Sequence, residues 1–150
     1  MPTNSKQVDF GLCVEVGAVE MNGMVGSPFW IPPEMIQRKE HGTPADIWSL
    51  GILCLEMAHG KPPNRDSALK AMFLAGAGIA PSLDDPDKWS EEFRDFLSRM
   101  LQIDPLARGT ADELLKHPWM ETADSRKSMC EMLHHIFVEK SLEKSLGISV

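Results

Sequence analysis

The segment between Thr43 and Gly60 constrains the fold of this chain most strongly. It opens with residues typical of a helix start, with Thr43 as the N-cap, Pro44 in the first helical position and Asp46 as a capping-box acid. The helix should end near Ala58, because Gly60 and the two prolines that follow cannot continue it. Its apolar residues are Ile47, Trp48, Leu50, Ile52, Leu53, Leu55 and Met57. These positions surround the helix axis, so we expect a central buried helix with no solvent-exposed face.

Further helices are predicted around this one. Residues 67–75 are predicted to form a short amphipathic helix. Residues 90–102 and 110–117 are predicted to form helices that begin with a Ser or Thr cap. In contrast, residues 7–8 suggest the end of a strand, and the glycine-containing stretch 12–26 suggests a long loop. The tail from Asp124 has an apolar stripe made of Met129, Met132, Leu133, Ile136 and Phe137, with Leu142 and Leu146 further on. We interpret this stripe as core packing, with an adaptable methionine-rich binding face as the alternative. The predicted fold class is mainly α.

Composition excludes several classes of protein. The 150 residues, 43% of them hydrophobic, are enough for one ordinary domain with its own core. Net charge is −7 and the basic residues are scattered, which argues against nucleic acid as a partner. The apolar stretch 47–58 is too short to span a membrane, and no signal peptide is expected at the start. The odd, widely spaced Cys13, Cys54 and Cys130 are typical of reduced thiols, so we expect a cytoplasmic protein.

Four short motifs follow one another in a fixed order. Asp9-Phe10-Gly11 is weak on its own, but Gly26-Ser27-Pro28-Phe29-Trp30-Ile31-Pro32-Pro33-Glu34, Asp46-Ile47-Trp48-Ser49-Leu50-Gly51 and Arg108 come after it. This series resembles the second half of a Ser/Thr protein kinase domain, and it is most similar to the PAK group of small-GTPase-activated kinases. The resemblance extends from about Val8 to Trp119 and more weakly into the tail. It implies a fragment of the C-terminal, helical lobe, with the N-terminal lobe and catalytic loop missing.

The resemblance divides the chain into four parts. Residues 1–11 would hold a residual strand and the Asp-Phe-Gly motif, and residues 12–34 the activation segment. Residues 35–120 would form the helical lobe, and residues 121–150 a C-terminal amphipathic helical tail.

The resemblance also implies roles for individual residues. Asp9, Phe10 and Gly11 would be a vestigial cofactor-binding motif, in which Asp9 is the magnesium ligand that bridges the ATP phosphates. Substrate-positioning residues would be Gly26, Ser27, Pro28 and Trp30. Glu34 and Arg108 would form a buried, structural ion pair, and Asp46 would accept hydrogen bonds from the backbone of a catalytic loop.

The remaining catalytic parts of the family do not occur in these 150 residues. There is no Gly-x-Gly-x-x-Gly loop, no Val-Ala-Ile-Lys strand and no His-Arg-Asp loop. Phosphoryl transfer depends on those positioning groups, so the isolated chain is expected to be inactive and to have no catalytic residue. ATP and Mg²⁺ are the family's cofactors, but neither is expected to bind tightly here, and Asp9 is interpreted as a solvated carboxylate.

Two departures from the PAK pattern fall inside the retained half. Gly23 occupies the position of the phosphorylatable threonine, and no Ser, Thr, Tyr, Lys or Arg occurs from Leu12 to Gly26. A phosphate paired with arginine therefore cannot order this segment from within. Pro32 stands where the family usually has alanine, which stiffens the segment expected to receive substrate.

Three interpretations remain open. The first is a fragment of a Ser/Thr protein kinase that is inactive as an isolated chain, either a truncated product or part of a longer enzyme. The second is a non-catalytic interaction or decoy module derived from a PAK-like lobe, a pseudokinase in effect. The third is a degenerate copy without a role. Expected partners are the substrates or regulators of PAK-like kinases, a kinase N-terminal lobe, or a chaperone that covers exposed apolar surface.

Overall fold

The computed structural model describes residues 10–15 and 23–146, with side chains described as far as Leu142. The predicted strand end at residues 7–8 lies outside this range, as do Asp9 and residues 16–22 of the predicted loop. The described residues divide into two compact units, one that extends to Glu121 and one that begins at Thr122.

Helices account for the regular structure of the described residues, in which no strand occurs. The prediction of a mainly α fold is therefore confirmed. The α-helices are α1 (Pro33–Ile36), α2 (Pro44–His59), α3 (Ala68–Gly76), α4 (Glu91–Met100), α5 (Ala111–Leu114) and α6 (Arg126–Leu146). Two 3₁₀ turns are added at Pro86–Lys88 and Pro118–Thr122.

Helix α2 starts at Pro44, as predicted, but without the predicted cap. It ends at His59, and the next residue, Gly60, has a φ of 72°, the left-handed conformation that glycine adopts most readily. Thr43 has helical dihedrals (φ −52°, ψ −30°) and makes no side-chain capping hydrogen bond. An N-cap needs an extended backbone to turn its oxygen toward the first turn, so the capping prediction for Thr43 is wrong. The capping-box reading of Asp46 fails with it, and Asp46 is exposed.

The core of the first unit lies between α2 and α4. The buried cluster consists of Trp48, Ile52, Cys54, Leu55, Ala75, Leu83, Phe93, Phe96, Leu97, Met100, Leu101 and Leu114. Gly51 lets the two helices approach closely, since a Cβ at that position would lie 2.8 Å from Cδ2 of Leu101. Burial in this core raises the pKa of the Cys54 thiol above its usual value.

One face of α2 is exposed, contrary to the prediction that every side would be buried. Leu50, Leu53 and Met57 are 43%, 42% and 68% exposed. Their spacing of three and four residues places them on one side of the helix, where they form an apolar stripe. We call these three residues the α2 stripe.

Helices α4 and α5 begin at their predicted caps, and α3 has a cap that was not predicted. Ser90 accepts a hydrogen bond from the backbone of Phe93, and Ser67 accepts one from Lys70 at the start of α3. Thr110 and Glu113 form the reciprocal capping box at the start of α5. The sequence analysis missed α1, a single turn that starts at Pro33 and whose N-cap, Pro32, has an extended backbone.

The second unit is described through α6, a helix of 21 residues. The hydroxyl of Ser125 accepts the backbone N–H of Ser128, which caps the start of this helix. The apolar stripe is between 40% and 66% exposed at Met129, Met132, Leu133, Ile136 and Phe137. The interpretation of this stripe as core packing is therefore wrong. No helix in the described ranges is long and apolar enough to cross a membrane.

Candidate functional site

The segment 26–34 begins with a turn that its sequence requires. Gly26 has a φ of 119°, a backbone conformation that residues with a Cβ rarely adopt. The carbonyl of Ser27 then accepts the N–H of Trp30 at 3.0 Å, which closes a turn over Pro28 and Phe29. Ser27 and Pro28 are exposed on this turn, and Phe29 meets Trp30 edge-on at 5.7 Å between ring centroids. The four predicted substrate-positioning residues therefore lie together on one compact, partly exposed turn.

A hydrogen bond ties this turn to α2. The hydroxyl of Ser49 donates to the carbonyl of Trp30 at 2.9 Å and lies 3.2 Å from the carbonyl of Ala45 one helical turn back. The sequence analysis did not assign Ser49 a role. The sequence did contain a signal for this contact, because a serine within a helix as apolar as α2 needs a polar partner on its own side of the helix.

The next residues of the segment are buried. Ile31 is 5% exposed, and Pro32 and Pro33 are among the largest fully buried side chains. Pro32 fixes the extended conformation from which α1 starts. The two prolines expected to stiffen the segment are therefore also held in place by packing.

Glu34 and Arg108 form a bidentate ion pair in the interior. Nη1 of Arg108 donates to Oε1 of Glu34 at 2.9 Å, and Nη2 donates to Oε2 at 3.1 Å. Their side chains are 3% and 0% exposed. The pair joins α1 to the loop before α5, across 74 residues of sequence.

The other contacts of Arg108 satisfy its remaining donors. Nε and Nη2 donate to the carbonyl of Gln102 at 3.1 and 3.0 Å, and Nη1 also donates to the carbonyl of Pro44 at 2.6 Å. Its guanidinium carbon lies 5.3 Å from the ring centre of Trp48, which adds a cation–π contact. A buried charge is tolerated only when it is paired and hydrogen-bonded, and loss of either partner costs about 3–5 kcal/mol. Arg108 therefore links α1, the start of α2 and the end of α4.

The remaining predicted site residues are not brought to this place. Asp46 is exposed, its backbone N–H donates to the carbonyl of Thr43 at 3.2 Å, and its side chain makes no hydrogen bond or ion pair with any described residue. Phe10 is 64% exposed and its carbonyl accepts the N–H of Cys13 at 3.0 Å, while Gly11 is exposed in the same turn. Asp9, the predicted magnesium ligand, lies outside the described residues.

The described residues do not fit a metal centre. Within residues 10–15 and 23–142, no group of three or more His, Cys, Asp or Glu side chains comes together. A magnesium site in this family takes oxygen ligands from more than one protein residue together with the nucleotide phosphates.

A separate acid–base pair supports the aromatic packing between α4 and the Pro118 turn. Nε2 of the buried His117 lies 2.9 Å from Oδ2 of Asp95, and Nδ1 of the same ring accepts the N–H of Trp119. The hydrogen bond from His117, followed by that from Arg99, lowers the pKa of Asp95 below its usual value. Because both ring nitrogens of His117 are engaged inside the fold, we assign the pair a structural role.

The sequence of the chain is similar to those of known proteins. The model of the protein kinase domain matches residues 2–120. A probable serine/threonine-protein kinase of Dictyostelium discoideum, mkcB, is 53% identical over 140 residues, which is 93% of this chain and 20% of that protein. A second one from the same organism, mkcC, is 46% identical over 89% of this chain and 15% of its own length. The serine/threonine-protein kinase pakA of Talaromyces marneffei is 38% identical over 93% of this chain and 22% of its own length.

These relatives confirm the predicted resemblance to Ser/Thr protein kinases, including a PAK-type one. The chain spans about a fifth of the length of the curated relatives it matches. The match begins near the Asp-Phe-Gly motif and includes the buried pair of Glu34 and Arg108 as well as the whole of α2. The chain belongs to the protein kinase family.

Proposed function

We propose that these 150 residues form the substrate-facing part of a Ser/Thr protein kinase lobe and do not transfer phosphate as an isolated chain. The buried ion pair between Glu34 and Arg108 is the main support for the substrate-facing role, because it fixes the end of segment 26–34 against the helical core. The hydrogen bond from Ser49 to Trp30 fixes the turn before it. A turn held in this way offers Ser27 and Pro28 to a peptide in one conformation.

Catalysis needs groups that these residues do not contain. Phosphoryl transfer in the family relies on a phosphate clamp, a catalytic-loop Asp and two sets of metal ligands acting together. The 150 residues hold the Asp-Phe-Gly motif without a Gly-rich loop, the strand lysine or His-Arg-Asp. We therefore propose that ATP and Mg²⁺ do not bind tightly to this chain by itself, and that Asp9 is a vestigial ligand.

Regulation of the segment should also differ from that of a PAK-type enzyme. Gly23 has no hydroxyl, and no phosphorylatable or basic residue occurs from Leu12 to Gly26. Phosphorylation within this stretch is therefore not available as a switch. When the chain is joined to the first half of the kinase domain of mkcB, a Gly23→Thr variant should gain activity on phosphorylation. Equal, full activity without the substitution would contradict this part of the proposal.

The α2 stripe favours a second role, in association with another polypeptide. Leu50, Leu53 and Met57 present apolar side chains to solvent on one side of the helix that organises the core. Exposed apolar surface of this kind marks an interaction site. We propose that its partner is the part of a kinase domain that precedes Asp-Phe-Gly in this family. An isolated copy would then act as a non-catalytic decoy for regulators or substrates of such kinases.

The test is a phosphotransfer assay on the purified chain, run beside the chain joined to the preceding half of the mkcB kinase domain. We expect no phosphate incorporation into a basic protein substrate by the chain alone, and no ATP–Mg²⁺ binding by calorimetry. The joined protein should bind nucleotide and transfer phosphate. Asp9→Ala should abolish the activity of the joined protein.

Activity of the chain alone that disappears in Asp9→Ala would overturn the proposal of inactivity. Arg94→Met serves as the control, since Arg94 is exposed and lies far along the sequence from the motifs. It should leave the activity of the joined protein unchanged.

We also propose the divisions and the location that the resemblance suggests. The parts are residues 1–11, 12–34, 35–120 and 121–150. Limited proteolysis should cut between the third and fourth parts before it cuts within the third.

The exposed thiols of Cys13 and Cys130 are free, which suits a reducing compartment such as the cytoplasm. Imaging of a tagged chain tests that location.

A further inference from the structure

Helix α3 carries two large apolar side chains that project into solvent. Leu69 and Phe73 are 78% and 70% exposed, and their spacing of four residues places them on the same side of the helix. The other side faces the core, where Ala75 is buried. A single exposed apolar residue is ordinary on a protein surface, but two neighbours on one helical face form a ridge. We call Leu69 and Phe73 the α3 ridge.

Both ends of α3 are fixed by local contacts. The hydroxyl of Ser67 accepts the backbone N–H of Lys70 at 3.2 Å and caps the first turn. At the other end, Nε2 of Gln37 donates to the carbonyl of Gly76 at 2.8 Å. A Cβ at Gly76 would lie 2.9 Å from Cγ2 of Ile36, so α1 touches α3 there. The α3 ridge therefore lies on a preorganised helix, which loses little conformational entropy when a partner binds.

The charges beside α3 are opposite in sign to the net charge of the chain. Residues 37–40 lie next to the end of α3, and residues 61–70 lead into its first turn. These two stretches contain five of the chain's 15 Lys and Arg residues but only two of its 22 Asp and Glu residues. All five basic residues are exposed, and none forms an ion pair with a described residue: Arg38, Lys39, Lys61, Arg65 and Lys70. The surroundings of the α3 ridge are therefore positively charged, although the chain carries −7.

An apolar ridge in basic surroundings restricts the kind of partner that fits it. Two side chains spaced by four residues form a ridge that packs into the groove between the side chains of a second helix. The cations at the two ends of α3 favour carboxylates along the edges of that helix. A helix that lies on a lipid surface needs a broad apolar face, whereas the nine residues of α3 offer two projecting side chains. The combination therefore favours a protein helix over a membrane.

We propose that α3 is a docking site for an acidic amphipathic helix of a partner protein. The α3 ridge packs between the apolar side chains of that helix, and its Asp and Glu residues lie beside the cations at the ends of α3. The turn at residues 27–30 lies against another side of α3, since Pro28 and Phe29 share a cavity wall with Ala71 and Leu74. A docked helix thus leaves that turn free for a peptide. The proposal depends neither on the α2 stripe nor on kinase activity.

The experiment titrates the full chain with a synthetic amphipathic peptide and follows the backbone amides by two-dimensional NMR. In this peptide leucines recur at helical spacing and glutamates flank them. The control peptide has lysine in place of each glutamate. We expect the glutamate peptide to shift the amides of α3 in a saturable way, and the lysine peptide to bind about tenfold more weakly or worse. Equal affinities, or no saturable shift with the glutamate peptide, would overturn the proposal.

A pair of substitutions tests the contribution of the α3 ridge. Leu106 is the matched control for Phe73, because it is 92% exposed and lies in the loop before α5. Phe73→Ser should weaken binding of the glutamate peptide by about tenfold to a hundredfold, while Leu106→Ser should leave it unchanged. Equal binding by the two variants would overturn the proposal.

Vesicles of phosphatidylserine and phosphatidylcholine test the alternative partner. The chain should not sediment with them more than Phe73→Ser does. Vesicle binding that Phe73→Ser abolishes, with no saturable response to the glutamate peptide, would assign the α3 ridge to a membrane surface and contradict the proposal. None of these readouts involves phosphate transfer, so their outcome is separate from that of the proposed function.

Discussion

The two faces of α2 contain similar side chains and have opposite environments. Trp48, Ile52 and Leu55 are at most 2% exposed, whereas the α2 stripe is 42% to 68% exposed. The buried face packs against α4 and is bordered by Arg108 and its hydrogen bonds. The stripe meets no comparable element among the described residues. Helix α2 is apolar all round, yet among the described residues only one of its faces is covered by packing partners.

A helix that is apolar on all sides needs a packing partner on each side. Full burial of one leucine or methionine side chain contributes about 1.5–3 kcal/mol, so burying the stripe would add stability comparable to a large share of that of an ordinary domain. The core around Trp48 is complete enough to place segment 26–34 without that contribution. We propose that a further part of a kinase domain packs on the stripe.

Loss of the buried ion pair beside α2 should destabilise the protein more than any other substitution proposed below. Arg108→Met keeps the length of the side chain but leaves Glu34 buried without a partner. We expect the free energy of unfolding to fall by about 3–5 kcal/mol, measured by urea denaturation. The matched control is Arg94→Met, because Arg94 and Asp87 form an exposed ion pair with a separation of 3.9 Å. That change should cost less than about 1 kcal/mol. Similar costs for the two variants would show that the buried pair does not hold the core.

The next prediction compares the two faces directly. Leu55 is fully buried and Leu53 is 42% exposed, and both lie in the middle of α2. Leu55→Ala should lower the free energy of unfolding by about 2–5 kcal/mol because it leaves a cavity. Leu53→Ala should change it by no more than about 0.5 kcal/mol. A large loss for Leu53→Ala, again by urea denaturation, would mean that the stripe is covered in solution.

The next prediction compares the residues that precede α2 and α5, and the expected change in stability is smaller. Thr110 caps α5 through its side chain, whereas Thr43 makes no side-chain capping hydrogen bond. Thr110→Ala should therefore cost about 0.5–2 kcal/mol. Thr43→Ala should have no measurable effect on the thermal midpoint. The reverse order would restore the capping role that the sequence suggested for Thr43.

The smallest predicted effect is a pH dependence on α4, which packs against the buried face of α2. The hydrogen bonds from His117 and Arg99 lower the folded-state pKa of Asp95. The carboxylate therefore stabilises the fold fully above the unfolded-state pKa of aspartate, about 3.9, and this contribution is lost as the pH falls through the lower, folded-state value. Asp95→Asn should reduce the drop in thermal midpoint below about pH 4. Asp112→Asn, at an exposed position on α5, is the control and should leave the drop unchanged.

Much of the fold followed from local patterns. The caps at Ser90 and Thr110 and the stop at Gly60 fix helix ends through short-range hydrogen bonds and backbone geometry, which a sequence displays directly. The mainly α fold class and the resemblance to Ser/Thr kinases were predicted for the same reason, since ordered motifs survive in the sequence.

Features that depend on tertiary partners could not be predicted in this way. Apolar composition alone did not separate Leu55 from Leu53, because the burial of a side chain depends on what packs against it. Thr43 has the residue type of a cap but a helical backbone, which only the surrounding fold determines. The link from Ser49 to Trp30 spans 19 residues and has no local pattern.

We propose that the α2 stripe is a docking face for the part of a kinase domain that precedes Asp-Phe-Gly. The direct measurement is the rate of thiol labelling at Leu53→Cys in a Cys13→Ser, Cys130→Ser background. Leu69→Cys on the exposed side of α3 serves as the control. Both cysteines should label rapidly in the chain alone. After the chain is joined to the first half of the mkcB kinase domain, only Leu53→Cys should become protected. Equal labelling of Leu53→Cys with and without that half would contradict the claim.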